Sequence, residues 1–146
     1  MAAQPLIAKM TIAKQCADTH STNLSQAIVD QYVRRGYLKE NLPRAIRMYA
    51  EQLQAMLNAL DTCFPQNARF TRPEGGLFIW CTLPEGIDAL GLLQEAVQEN
   101  VAFIPGTHFY EGGGHENTLR LNFSASSSER IQKGIQTLGA VIARHV

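Results

Sequence analysis

The stretch Asn117-Thr118-Leu119-Arg120-Leu121-Asn122-Phe123-Ser124 carries the clearest evidence for the fold of this 146-residue chain. Its two leucines and its phenylalanine alternate with polar residues. Alternation with a period of two is typical of a half-buried strand, because successive side chains of a strand point to opposite faces. We therefore predict a strand over residues 117–123, with its apolar face towards a core and its polar face towards a cleft or solvent.

Arg120 is the only charged residue within this predicted strand. A guanidinium on a rigid strand presents a planar, permanently charged fork, and that fork matches the geometry of a carboxylate. Arg120 is therefore a candidate ligand for an anionic substrate. The alternative is a structural arginine that pairs with an acidic neighbour or extends into water. The residue pattern alone leaves both interpretations open.

Further strands are predicted upstream. Residues 77–83 form a nearly continuous apolar run rich in β-forming residues, which predicts a central strand buried on both faces. A short strand at 69–72 precedes it. The apolar run at 101–104 predicts another strand that ends at the Pro105-Gly106 turn.

Gly75 and Gly76 belong to the turn at 73–76, between two predicted strands. A phosphate-binding loop would continue with Lys and Ser or Thr and would open a helix, and neither feature follows. A hairpin turn that lets the backbone approach a neighbour closely is the better interpretation.

Helical periodicity is strongest over residues 38–60, where apolar residues recur every three or four positions. We expect Asn41 to cap this helix and Pro43 to lie in its first turn. Two helices precede it, one from Pro5 to about Thr19 and one that ends at Gly36. Their apolar faces are thin, so residues 1–36 are expected to pack on another domain or on a partner subunit.

Two helices are predicted in the second half of the chain. Asp88 is expected to cap the first of them. Ser126 and Glu129 have the spacing of a capping box, in which a serine is followed three residues later by a glutamate, and they predict the start of the last helix.

The predicted order is three helices, two strands, a helix, two strands and a helix. This order favours the α+β class, with a small, largely antiparallel sheet of about four strands. Helices would cover one face of the sheet, a long helical segment would precede it, and Arg120 would lie on the other face. No internal repeat or dividing linker is evident, so residues 1–146 are expected to form a single domain.

Charge and composition argue against several classes of function. Lys and Arg total 13, as do Asp and Glu, so no net field favours nucleic acid or an anionic membrane. No apolar segment approaches the length needed to span a bilayer, and no signal peptide is evident. We therefore expect a cytoplasmic protein that binds neither nucleic acid nor membrane.

The cysteines and histidines do not predict a metal site. Cys16, Cys63 and Cys81 are odd in number and widely spaced, which fits reduced, structural thiols. The four histidines are scattered, and a metal site needs three or four converging ligands. No metal is expected.

Three motifs together resemble a known family. They are Pro73-Glu74-Gly75-Gly76-Leu77-Phe78-Ile79-Trp80, Val101-Ala102-Phe103-Ile104-Pro105-Gly106 and Leu119-Arg120-Leu121-Asn122-Phe123-Ser124. Their order and spacing resemble the carboxy-terminal part of class I/II aminotransferases of fold type I. The likeness is strongest to the aminoadipate, aromatic and MocR-like branch, and it covers nearly the whole chain.

The resemblance implies a substrate site. Arg120 would bind the α-carboxylate of amino acid and 2-oxo acid substrates, and Gly75 and Gly76 would line the approach to the substrate side chain. The family transfers an amino group through pyridoxal phosphate, which acts as the electron sink. The resemblance also implies that the intact enzyme is a homodimer.

The family's Schiff-base lysine has no counterpart in this sequence. Lys9, Lys14, Lys39 and Lys133 are the only lysines, and none lies in the family's serine- or threonine-flanked setting at a strand end. No catalytic or cofactor-binding residue is therefore assigned, and the isolated chain is expected neither to bind pyridoxal phosphate as an internal aldimine nor to transaminate. Two alternatives remain: the effector-sensing domain of a MocR-like transcriptional regulator, and a non-catalytic interaction module.

Overall fold

The computed structural model describes residues 2–18 and 20–146 and contains two compact units, Met1–Arg44 and Ala45–Val146. The helices are α1 (Gln4–Ala17), α2 (Asn23–Arg34), α3 (Tyr37–Cys63), α4 (Ala89–Gln98) and α5 (Ser128–Ile142). The strands are β1 (Arg69–Phe70), β2 (Phe78–Thr82), β3 (Ile104–Pro105) and β4 (Thr118–Asn122), and a 3-10 helix at Gly106–Phe109 follows β3. The predicted succession of helices and strands and the α+β class are confirmed.

The four strands form one antiparallel sheet in the order β1-β2-β4-β3. The strand predicted from the alternating stretch is therefore central. In the β2–β4 pair, Trp80 lies opposite Arg120 and Ile79 lies opposite Leu121. Because register fixes which side chains share a face, the polar residues of β4 lie on the same face as the even-numbered residues of β2.

The core of the second unit lies between the sheet and the helices on one of its faces. Ile79, Cys81 and Leu119 from the sheet and Leu138 from α5 are fully buried and belong to one apolar cluster. Burial of these side chains is the main driving force for folding of this unit.

The prediction that residues 77–83 are buried on both faces is wrong. In β2, burial alternates: Ile79 and Cys81 are inaccessible, whereas Phe78 is 40% exposed and Trp80 and Thr82 are half-buried. Two of these three outward residues, Phe78 and Trp80, are aromatic rather than polar, which made the run look like a strand covered on both sides. The second face of the sheet is thus open at Phe78.

The strand predicted at 101–104 is shorter and lies later than expected. Only Ile104 and Pro105 pair with β4, and the predicted Pro105-Gly106 turn is the start of the 3-10 helix. Proline supplies no N–H donor, which limits how far an edge strand can pair.

The cap predicted at Asp88 is present, since its carboxylate accepts hydrogen bonds from the backbone N–H groups of Leu90 and Gly91.

The capping box predicted for the last helix is wrong by one residue. Ser127 is the N-cap of α5, and its hydroxyl accepts a hydrogen bond from the N–H of Arg130. Glu129 lies in the first turn, where a hydrogen bond from Ser127 lowers the pKa of its carboxyl.

The start of the long helix also differs from the prediction. Helix α3 begins at Tyr37 rather than after Asn41, and Pro43 lies inside it. Gly36 has a φ of 81° and ends α2 in the left-handed conformation, so α3 begins at the next residue. Within α3, the missing N–H of Pro43 costs one helical hydrogen bond.

The first unit is almost entirely exposed. Helix α1 ends at Ala17, and the predicted end at Thr19 lies outside the described residues. Neither α1 nor α2 has a buried residue, and Leu24 and Ile28 of α2 are 72% and 60% exposed. In the part of the chain that the structure describes, no helix combines the length and apolar character that crossing a membrane requires.

Candidate functional site

Arg120 lies at the centre of the open face of the sheet. Strand β4 is flanked by β2 on one side and β3 on the other, and Arg120 pairs with Trp80 of the first and Ile104 of the second. A residue held by two neighbouring strands has little backbone freedom. The arginine is therefore carried by a strand that is paired on both sides.

Two aromatic rings contact the Arg120 guanidinium. Its Cζ lies 4.1 Å from the centroid of the Phe78 ring and 4.6 Å from the centroid of the Phe109 ring. Phe78 belongs to β2, whereas Phe109 ends the 3-10 helix after β3, so the two rings come from separate segments of the chain. Both distances are within the range of cation–π interactions.

Arg120 has no acidic partner among the residues that the structure describes. Across residues 2–18 and 20–146, none of its three nitrogens donates a hydrogen bond and no carboxylate lies within ion-pairing distance. Its Nε is buried without an acceptor, which is rare because a buried donor without an acceptor is costly. The structural alternative of an arginine paired with an acidic neighbour does not describe this side chain.

Arg72 shows what a structural arginine looks like in the same unit. It forms an ion pair with Asp61, its side chain is 56% exposed, and its Cζ lies 5.3 Å from the ring of Phe70. Arg120 has closer rings and a buried Nε, and no acid pairs with it among the described residues. The two arginines therefore differ in whether an acidic side chain of the described residues neutralises their charge.

The 3-10 helix is pressed closely against the sheet at Gly106. A Cβ at this position would overlap the Thr118 hydroxyl and would lie 2.9 Å from Cζ2 of Trp80. Thr118 is itself buried and donates a hydrogen bond to the His115 carbonyl at 2.6 Å. Glycine at 106 therefore allows the helix that carries Phe109 to approach β4.

Gly75 and Gly76 lie in the exposed turn before β2. Gly76 has a φ of 84°, which favours glycine, and a Cβ on either residue would meet no atom within 4 Å. Phe78 follows two residues later, so the turn leads directly into the strand whose first ring contacts Arg120. Among the described residues, no backbone hydrogen bond outside the regular elements joins either glycine to Arg120.

The sequence analysis missed the aromatic neighbours of Arg120. Phe78 belongs to the run 77–83, which the sequence analysis interpreted as buried on both faces. Phe109 was assigned to no helix or strand. The signal for Phe78 was available, because antiparallel pairing of two alternating strands places every second residue of each on a common face. Phe109 had no such signal, since a short 3-10 helix has little periodicity.

The residues present do not form a site for a covalently held aldehyde cofactor. All four lysines lie on helices α1, α3 and α5 and are exposed, and none lies on a strand of the sheet that carries Arg120. Lys14 forms an ion pair with Asp18. Among the described residues, no three His, Cys, Asp or Glu side chains converge as metal ligands would.

The fold and the open sheet face define a domain found in aminotransferases of fold type I. A crystal structure of LysN, an α-aminoadipate aminotransferase from Thermus thermophilus complexed with N-(5′-phosphopyridoxyl)-L-leucine, superimposes with a TM-score of 0.85 at 43% sequence identity. The match covers 99% of this chain and 37% of that structure.

Curated relatives lead to the same family. A 2-aminoadipate transaminase of Thermus thermophilus is 46% identical over 134 residues, which cover 92% of this chain and 34% of the relative. Aromatic-amino-acid aminotransferase 1 of Thermococcus litoralis is 43% identical over 143 residues, or 97% of this chain and 34% of the relative. This chain thus spans about a third of the length of the relatives it matches.

The family model for aminotransferase class I and II matches residues 5–138. This chain belongs to the class I and II aminotransferase family.

Proposed function

We propose that this chain is the carboxy-terminal, substrate-carboxylate-binding part of a pyridoxal-phosphate-dependent aminotransferase. Such an enzyme moves an amino group between an α-amino acid and a 2-oxo acid. The observation that carries the proposal is the Arg120 guanidinium, which lies on an open sheet face with a buried Nε and no acidic partner within the described residues.

The role of Arg120 follows from charge and geometry. A carboxylate entering a partly desolvated cleft needs a paired charge, and a guanidinium offers two parallel N–H bonds in one plane. Binding the carboxylate at a fixed point also orients the Cα of the substrate relative to the rest of the enzyme. Gly75 and Gly76, in the exposed turn before Phe78, would line the path of the substrate side chain.

The cofactor would be held by residues outside this chain. Pyridoxal phosphate supplies the electron sink for chemistry at the substrate Cα. Among residues 2–18 and 20–146, all four lysines lie on helices, and none lies on the strand of Arg120 or on a strand paired with it. In the proposed enzyme, this chain binds and orients the substrate, and another domain provides the cofactor contacts.

The helical segment over residues 1–36 would pack on that domain or on a second subunit of a homodimer. This is supported by the absence of buried residues from α1 and α2 and by their exposed apolar side chains. The three free cysteines fit a reducing compartment, so we place the enzyme in the cytoplasm.

A deciding experiment measures substrate selectivity in a full-length aminotransferase that carries this sequence. The ratio of kcat/KM for an α-amino acid to that for an amine lacking the carboxylate is compared for wild type, Arg120→Lys and Arg120→Ala. Stranding one member of a buried charge pair costs about 3–5 kcal/mol. The ratio should therefore fall by roughly two to four decades in Arg120→Ala.

The control variant is Arg72→Ala, which removes an exposed, acid-paired arginine from the same unit. Its ratio should equal that of wild type. An unchanged ratio in Arg120→Ala would remove Arg120 from the substrate site. Binding of amino acids without any turnover would instead favour the effector-sensing domain of a MocR-like regulator, and no binding at all would favour an interaction module.

A further inference from the structure

We propose that Phe109 is a positioning residue for Arg120: together with Phe78 it fixes the orientation of the guanidinium and shields its faces from water, so that its edge is presented to the substrate carboxylate. The inference rests on the proposed function of Arg120 and goes beyond it. It assigns a role in substrate recognition to a ring that need not touch the substrate.

The exposure of Phe109 points away from a purely structural role. Phe109 is 48% exposed, whereas the large apolar residues of the core are almost inaccessible. A half-exposed phenylalanine contributes less to folding than a buried one, because less apolar area is removed from water. One contact of the Phe109 ring is with Arg120, at 4.6 Å from ring centroid to Cζ.

The position of the Phe109 ring is itself fixed from two directions. Gly106, three residues earlier, lies against Thr118 and Trp80 with no room for a Cβ. The Trp80 ring meets the Phe109 ring edge to face, with centroids 5.5 Å apart and planes at 79°. This geometry is favoured by the quadrupoles of aromatic rings. Phe109 therefore approaches Arg120 on a rigid support.

Aromatic neighbours suit an arginine that must stay free for a ligand. An acidic partner would occupy the in-plane N–H groups with which a carboxylate is bound. A ring over a guanidinium face interacts with the charge without using those donors. Phe78 and Phe109 can thus restrict the motion of Arg120 while leaving its hydrogen-bonding edge open.

The first arm of the test needs no activity. In the 146-residue chain, the Arg120 Nε–Hε group is followed by ¹⁵N–¹H NMR. In the wild type we expect slow hydrogen exchange of Hε and a ring-current shift of its signal. In Phe109→Leu the exchange should be faster and the ring-current shift smaller, whereas Phe109→Tyr should retain both wild-type values. Tyr110→Leu is the matched control, because the neighbouring Tyr110 ring stacks on His115 and contacts Trp80. An Arg120 signal that is unchanged in Phe109→Leu would overturn the proposal.

The second arm measures selectivity in the full-length aminotransferase. Cation–π contacts contribute roughly 0.5–2 kcal/mol, so Phe109→Leu should lower the amino acid-to-amine ratio of kcat/KM by about 2- to 30-fold. The loss should appear mainly as a higher KM for the amino acid, because the carboxylate is bound equally in ground and transition states. Phe109→Tyr should restore wild-type selectivity.

The outcomes separate the inference from the function on which it rests. A general folding defect would lower kcat for both substrates alike and leave the ratio unchanged. If Arg120→Lys lowers the ratio and Phe109→Leu does not, the inference is overturned while the proposed function stands. If Arg120→Lys also leaves the ratio unchanged, the proposed function fails and the inference fails with it.

Discussion

Gly139 of α5 lies directly against the main chain of Cys63, the last residue of α3. A Cβ at Gly139 would overlap the Cys63 carbonyl oxygen and would lie 3.0 Å from Cys63 Cβ. This contact sets how closely the two helices approach over the sheet, and both helices contribute residues to the apolar core.

The first prediction is that Gly139→Ala destabilises the chain. The added methyl group meets backbone, which cannot move away as a flexible side chain can, and overpacking of this kind costs about 1–3 kcal/mol. Gly134→Ala in the same helix is the matched control, because a Cβ there meets nothing within 4 Å. It should stabilise the chain by about 0.5–1 kcal/mol through helix propensity. Urea unfolding of the two variants checks this, and equal midpoints would contradict it.

The second prediction concerns alkaline stability. Burial raises the pKa of the Cys81 thiol from 9.0 to about 12. At a pH above the ordinary thiol pKa, the unfolded chain loses this proton and the folded chain keeps it. The free energy of unfolding therefore falls as the pH rises from about 9 towards about 12. Each pH unit in this window should cost about 1.4 kcal/mol.

The comparison variant for this prediction is Cys81→Ala, which removes the titrating group. Unfolding free energies of both proteins are measured between pH 8 and pH 10.5, and their difference isolates Cys81 from other groups. The wild type should lose more stability than the variant across that range. Parallel curves of unfolding free energy against pH would show that the thiol does not contribute to the loss of stability at high pH.

The third prediction is that the isolated chain forms no internal aldimine with pyridoxal phosphate and does not transaminate. All four of its lysines are exposed on helices, and Lys14 is engaged by Asp18. Mixing the chain with the cofactor should give no stable visible absorbance band beyond that of the cofactor mixed with simple amines. A band that disappears in Lys14→Ala would contradict the assignment of the cofactor site to another part of the enzyme.

The fourth prediction is that the chain self-associates through its first unit. Large apolar side chains are exposed along α2, among them Leu24 at 72% and Ile28 at 60%, and exposed apolar patches mark interaction surfaces. Sedimentation velocity should show association that increases with concentration. This association should be weaker in the double variant Leu24→Glu, Ile28→Glu. Leu90→Glu, at an exposed apolar position of α4, is the control and should associate like wild type. A monomer at high concentration would rule out association.

The architecture was largely predictable because its determinants are local. Alternation identified β4, the spacing of apolar residues identified α3, and the carboxylate of Asp88 marked the start of α4. Each of these signals follows from the geometry of a single element. Helix boundaries were less accurate, because the left-handed Gly36 allowed α3 to begin earlier than its apolar pattern suggested.

The surroundings of Arg120 depend on contacts between distant segments, and here the sequence was less informative. The strand position of Arg120 was readable, but its two rings come from Phe78 and Phe109, about 40 and 10 residues earlier in the chain. Only the pairing of β2 with β4 and the close approach at Gly106 bring them together. The alternation of β2 and β4 can indicate a shared face for Phe78 and Arg120, but no periodic pattern indicates the close approach at Gly106.

The two outer strands of the sheet have a consequence for aggregation. Both β1 and β3 are only two residues long, and β3 ends in Pro105. Short edge strands and edge prolines offer few free backbone groups to which another strand could add, so they protect a sheet from edge-to-edge polymerisation. Copies of this chain that meet in solution therefore have little sheet edge on which to build fibrils, and their contacts are directed to helical surfaces instead.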